Sequence, residues 1–172
     1  MIHRIACTLI VAAAAAAAAA QAQDQAEGPE ERVRRTLLAW GQAWTPGDHA
    51  EGFELGPLFD RFYAEDVLAF DTSDQAQRTV IRGRDAFLAT WEPFVRSWDR
   101  WAFNVLPESI EVHVVDAATA WATLYVDNFG LAHDGTEFHG PAQGTVILHR
   151  DPAGAWRIVH EHISLPRRDP AR

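Results

Sequence analysis

The chain is 172 residues long and carries 24 acidic against 15 basic side chains, for a formal net charge of −9. That balance argues against nucleic acid and anionic membrane surfaces as partners, which need clustered positive charge. Every basic residue other than histidine is an arginine, which excludes Schiff-base chemistry through lysine, and the single cysteine, Cys7, excludes an internal disulfide framework.

Residues 1–22 read as a cleavable secretory signal. Arg4 supplies the positive start, Ile5 to Ala20 is apolar with nine consecutive alanines, and Ala20-Gln21-Ala22 fits a small-x-small cleavage pattern, which predicts a cut after Ala22. The apolar stretch is shorter than the roughly 20 residues of a membrane span. The mature protein is therefore expected to be secreted or periplasmic, with no membrane span. The cut also removes the only Cys and the only Met, so no thiol nucleophile or thiolate metal site remains. Residues 23–29 read as a disordered leader, 30–166 as one domain and 167–172 as a tail.

Glu30 to Trp44 reads as a helix, with Val33, Leu37, Trp40 and Trp44 on one stripe and acidic residues in the first turn. Thr45-Pro46-Gly47-Asp48 stops it. Pro57 opens a second short helix with Leu58, Phe59, Phe62 and Tyr63 as its apolar positions. Val67 to Phe70 is a short strand, and Asp71 to Gln77 a polar loop. A third helix is expected from Asp85 to Trp98, with a kink or early end at Pro93, whose ring removes a backbone donor.

From Trp101 onward the period changes from helical to alternating. Strands are expected near Trp101–Val105, Ser109–Val115, Thr119–Phe129, Glu137–His149 and Trp156–Ser164, with turns at Asp116-Ala117-Ala118 and Asp151-Pro152-Ala153-Gly154. Alternation places Trp156, Ile158, His160, His162 and Ser164 on one face of the last strand. Helices first and a strand meander afterwards predict an α+β domain: three N-terminal helices packed on a strongly curved, mostly antiparallel sheet. Seven Trp and nine Phe are many for this length, and the surplus is expected to line a cavity.

Three segments carry a resemblance to a known family. These are Phe62-Tyr63-Ala64-Glu65-Asp66-Val67-Leu68-Ala69-Phe70-Asp71, Ile81-Arg82-Gly83-Arg84-Asp85-Ala86-Phe87, and Gly154-Ala155-Trp156-Arg157-Ile158-Val159-His160-Glu161-His162-Ile163-Ser164. Together with the element order they resemble the nuclear transport factor 2-like superfamily, and within it the SnoaL-like polyketide cyclases and ketosteroid isomerases. The resemblance implies a cone-shaped fold with a pocket, and pairing of two copies through the open sheet. It also implies a base at Asp71, a carboxylate that moves a proton beside a carbonyl. Ketosteroid isomerase pairs an Asp base with a Tyr and a protonated Asp that hold the oxyanion. Here Trp40 falls where that tyrosine would be and Gln143 where that aspartate would be, so the steroid reaction itself is not implied.

Each candidate has two readings. Asp71 is either the acceptor that starts the loop Asp71-Thr72-Ser73-Asp74 or a catalytic base. His160 and His162 either pin the sheet or reach a pocket's polar end, where they orient a substrate or shuttle a proton. A metal held by His160 and His162 with His139 or His133 is a third option, and the expectation is no metal and no cofactor. Arg82 and Arg84, flanking Gly83, read as solvated charge. Ligand contacts are expected from Trp40, Trp44, Tyr63, Phe70, Trp91, Trp121, Tyr125 and Gln143. The expected function is binding of a small apolar or cyclic molecule by an exported homodimer. Cofactor-free isomerisation, cyclisation or dehydration by general acid–base catalysis would follow. The alternative is a non-catalytic ligand-binding or dimerisation module of the cell envelope.

Overall fold

The computed structural model describes residues 27–45, 53–70 and 80–164. Residues 1–26, 46–52, 71–79 and 165–172 lie outside the described residues, and with them the expected signal, the expected loop from Asp71 and the expected tail. Helix α1 spans Pro29–Ala43, with Pro29 in its first turn and Glu30 and Glu31 against its positive end. Its stripe of Val33, Leu37 and Trp40 is completely buried, and Trp44 just beyond it is 4% exposed. Each such side chain contributes about 1.5–3 kcal/mol of burial. Helix α2 spans Leu55–Phe62, so the expected apolar position at Tyr63 becomes the first residue of strand β1, Tyr63–Phe70.

A short strand β2, Val80–Arg82, pairs antiparallel with β1 and was not foreseen in the sequence. Gly83 then turns the chain at φ +88°, a conformation that glycine adopts without strain, and its N–H donates to the Val67 carbonyl at 2.7 Å. Helix α3 spans Arg84–Arg96 and ends three residues after Pro93, two short of the expected Trp98. Trp98 instead opens β3, Trp98–Val105. A 3₁₀ turn at Pro107–Ser109 takes the first residue of the expected next strand, which narrows to β4, Glu111–Val114. Strands β5, Thr119–Ala132, and β6, Glu137–Arg150, form a long hairpin paired from Thr119↔His149 to Leu131↔Glu137. Strand β7 spans Trp156–Ser164.

The sheet runs β2-β1-β7-β6-β5-β3, with β4 paired to the other half of β5's edge. Every pairing is antiparallel except β1 with β7. The three helices cover one face, and size complementarity explains the fit. The covered face of the hairpin presents Ala120, Ala122, Leu124 and Val126 beside Ala142, Gly144, Val146 and Leu148, all buried. The helices fill the room left by these small residues with Trp40, Trp44, Phe59 and Phe87. Trp40 meets Phe103 edge-on at 5.1 Å, and Phe59 stacks on Tyr63 at 4.7 Å. Among the described residues no helix is long and apolar enough to cross a membrane.

Candidate active site

The last strand does not keep the alternation its sequence suggests. On β6, adjacent residues Ile147 and Leu148 pair with His160 and Ile158, so Val159 is an extra residue. Against β1 the register also shifts at this point, there with residues 64–67 of β1 set against the single Val159. Such a β-bulge exchanges the faces of everything that follows. Trp156 and Ile158 face the helices, but beyond the bulge it is Glu161 that is buried, at 6% exposure, with Ile163 partly buried behind it. Gly144 gives Ile163 its place, since a Cβ there would lie 2.5 Å from the Ile163 Cδ1. His160, His162 and Ser164 turn to the helix-free face. The expected face shared by Trp156, Ile158, His160, His162 and Ser164 is thus split in two.

Inside, Glu161 ends a closed hydrogen-bond chain. The Tyr63 hydroxyl donates to Glu161 Oε2 at 2.7 Å and accepts from Trp40 Nε1 at 2.8 Å and Trp44 Nε1 at 3.3 Å. One proton given and two lone pairs filled saturate that hydroxyl. Burial pushes the Glu161 carboxyl from an ordinary value of 4.5 up to about 7, against the opposing pull of the Tyr63 hydrogen bond. Burial also raises Tyr63 well above its ordinary value, helped by the charge and hydrogen bond of Glu161 and opposed by the two indoles. Near neutrality Glu161 is therefore poised between acid and base while Tyr63 stays a hydrogen-bond donor. That combination can move a proton.

Aromatic contacts continue from this chain toward β3. Trp44 meets Trp91 at 5.6 Å, Trp91 meets Phe94 at 5.1 Å, and Phe94 meets Trp101 at 5.1 Å. At that end Trp98 Nε1, Trp101 Nε1 and Asn128 Oδ1 are buried with no hydrogen-bond partner among the described residues. Each such orphan costs about 1–3 kcal/mol unless another molecule satisfies it.

The eight expected ligand contacts and the two histidines divide between the two faces. Trp40, Trp44, Tyr63 and Trp91 belong to the interior. Phe70, Trp121 and Tyr125 are exposed on the open face, and Gln143 lies there too, so Gln143 cannot stand in for a protonated carboxyl beside Trp40. The open face carries a cleft of about 380 Å³ that includes Tyr125, Gln143, Thr145, His162 and Ser164. Phe70 covers both histidines edge-on, at 5.6 Å from His160 and 5.2 Å from His162. His160 Nδ1 donates to the Leu68 carbonyl at 2.8 Å and so ties β7 to β1. His139 pairs with Asp127 at 2.9 Å, and His133 pairs with Asp99, so neither joins His160 and His162. Among the described residues no three acidic, His or Cys side chains gather as a metal site. Asp71 lies outside the described residues. Arg84 pairs with Asp60 at 3.3 Å.

Sequence reasoning missed Glu161 because strict alternation assigns it to the outside. The one trace of its true position is Ile158-Val159, two apolar residues in succession where a half-buried strand should alternate.

Comparison with known proteins agrees with this architecture. No curated protein matches the chain. Among solved structures, an NTF2-like protein with a cystatin-like fold from Novosphingobium aromaticivorans is 23% identical, covers 91% of this chain and 90% of its own, and superposes with a TM-score of 0.60. A candidate dehydratase of the NTF2-like family from Streptomyces avermitilis is 17% identical, with coverage of 80% and 97% and a TM-score of 0.62. A candidate scytalone dehydratase from Novosphingobium aromaticivorans is 14% identical, with coverage of 80% and 83% and a TM-score of 0.63. At these identities the likeness is one of fold. The SnoaL-like domain family matches residues 33–168, essentially the whole folded region, and the chain belongs to that family.

Proposed function

We propose that this SnoaL-like domain takes a small apolar or cyclic molecule between its helices and its sheet and transfers a proton on it without a cofactor. Isomerisation, cyclisation and dehydration are the reactions that such a transfer serves. The observation that carries this reading is the buried Tyr63–Glu161 pair, a carboxyl raised to about 7 beside a hydroxyl that two indoles hold in place. Glu161 would take or give the proton, and Tyr63, whose single O–H proton is directed at Glu161, would hold that carboxyl in place. The orphaned Trp98, Trp101 and Asn128 atoms support a ligand with both acceptor and donor oxygens at the far end of the same aromatic layer. The names given to two of the similar structures, both dehydratases, agree with this class of chemistry.

Two further parts of the reading rest on other observations. The Arg4, Ile5–Ala20 and Ala20-Gln21-Ala22 pattern supports export to the periplasm or beyond. Exposed Phe70, Trp121 and Tyr125 on the helix-free face support a homodimer that covers that face. The competing reading is a non-catalytic binding or dimerisation module. It is favoured by the complete burial of Trp40, which makes a purely structural hydrogen-bond chain conceivable.

The test begins with mass spectrometry of small molecules that co-purify with the protein, followed by turnover assays on them. Glu161→Gln keeps the shape and the hydrogen bond from Tyr63. Retained binding with turnover reduced at least a hundredfold supports the proton-transfer reading. Undiminished turnover sinks it and leaves Asp71, tested in parallel as Asp71→Asn, as the base.

A further inference from the structure

We infer that the cleft between α1, α2 and the β6–β7 turn is a second binding site, for a small carboxylic acid with an apolar body. The cleft encloses about 540 Å³, within the range of small-molecule sites. Arg32 and Arg35 enter it from α1, Arg61 from the end of α2, and Arg157 from the start of β7, against one carboxylate, Asp60. Four guanidiniums meet around one cleft in a chain of net charge −9, with Glu27 paired to Arg35 and Asp151 to Arg157. Guanidinium groups bind carboxylates through paired, charge-assisted hydrogen bonds, and a cleft focuses the field that draws an anion in.

The surroundings decide the class of anion. Arg157 is a fixed wall: its Nε donates to Asp151 Oδ2 at 2.9 Å, and its Nη1 donates to the carbonyls of Asp60 and Arg61. Asp60 pairs with Arg84 at 3.3 Å, and Arg35 with Glu27 at 2.9 Å. Arg61 lies 4.8 Å from the Phe62 ring centroid, a cation held against an aromatic surface. Trp156 and Phe62 also line the cleft, and Trp156 keeps its indole N–H buried without an acceptor among the described residues. A positive rim beside the apolar lining of Ala39, Pro57 and Ala155, over the largely buried Phe62 and Trp156, suits an aryl or alkyl carboxylate better than a free inorganic anion. The site lies outside the Tyr63–Glu161 chain and does not depend on it.

The experiment titrates the full chain with 2-naphthoate, 2-naphthol and inorganic phosphate, by calorimetry and tryptophan fluorescence. Saturable 2-naphthoate binding is expected, about tenfold or more tighter than 2-naphthol, whose ring is the same without the charge. The double variant Arg32→Gln, Arg61→Gln is expected to lose about tenfold in naphthoate affinity at unchanged melting temperature. The exposed Arg35→Gln supplies a second test if the double variant folds poorly, with a smaller loss expected. Glu161→Gln is expected to bind as the parent does. Equal affinity for naphthol and naphthoate overturns the inference. So does phosphate displacing naphthoate at equal concentration, or binding that survives the arginine substitutions but is lost in Glu161→Gln.

Discussion

The two faces of the sheet are made from the same strands yet obey opposite chemistry. The covered face of β5 and β6 is small and apolar, and helix aromatics fill it to complete burial. The open face of the same two strands presents Trp121, Thr123 and Tyr125 beside Gln143, Thr145 and Ile147, side chains that suit water or a partner. Asn128 on β5 and Glu161 on β7 cross the division, and on β7 a bulge carries a carboxylate inward and two imidazoles outward. A titratable group in the dry interior costs energy that an apolar residue there would not. Its presence on the covered face therefore points to a use, whereas polar groups on the open face need none.

The sharpest test of this contrast is to delete Val159. Without the extra residue the strand alternates regularly from Ile158 to His160, so Glu161 and Ile163 still face the helices and His160 and His162 the open side. The variant is expected to fold cooperatively, at a cost of about 0.5–3 kcal/mol. Urea denaturation and near-ultraviolet circular dichroism measure it, and a variant that fails to fold would contradict the assignment of Val159 as the extra residue.

A cleaner comparison sets one tryptophan against another. Trp40→Ala removes a wholly buried indole and a donor to Tyr63, for an expected loss of about 3–5 kcal/mol. Trp121→Ala, on the open face, should fall within about 0.5 kcal/mol in the monomer. If sedimentation shows that Trp121→Ala and Tyr125→Ala dissociate a dimer, the open face has an owner.

Acidity separates the faces next. The Glu161 carboxyl stands at about 7 folded against an ordinary 4.5, so the folded state binds that proton more tightly than the unfolded state. Its contribution favours folding fully below about pH 4.5 and is lost as pH rises through about 7, a swing of roughly 3 kcal/mol. The carboxylates of Asp116, Asp134 and Asp151 are shifted the other way by their hydrogen bonds, so the total profile mixes both trends. Subtracting the profile of Glu161→Gln isolates the buried group, and a difference that stays flat from pH 8 to 4.5 would refute its raised value. The smallest effect is expected at the histidines. His160→Ala gives up one hydrogen bond to the Leu68 carbonyl, about 1 kcal/mol, and His162→Ala almost nothing. A large loss at His162 would mean that the open face is not open.

Much of this organisation was legible in the sequence because it rests on periodicity. The stripe of α1, the hairpin β5–β6 and the helix-then-strand order follow from spacing that local geometry enforces. The SnoaL-like ending of β7 identified the family, yet the same residues misled about the site. A bulge is fixed by pairing with a neighbouring strand, here β6, and within β7 only the successive apolar pair Ile158-Val159 hints at it. Trp40 was read as a substitute for an oxyanion tyrosine, whereas it supports a real tyrosine, Tyr63, 23 residues later. Strand β2 was missed because three residues ahead of a helix carry too little alternation to register.

The parallel pairing of β1 with β7 has a consequence for how the protein is made. Tyr63 and Glu161 are 98 residues apart, and the strand that joins them is the last one translated. Until it leaves the ribosome, β1 and β6 are both unfinished edges, and the tryptophans of α1 have no closed chamber to fill. Long-range contacts of this kind make folding slow, because the chain must be brought together before any reward is collected. The nascent protein thus stays uncommitted for almost its whole synthesis, then zips shut in one late event.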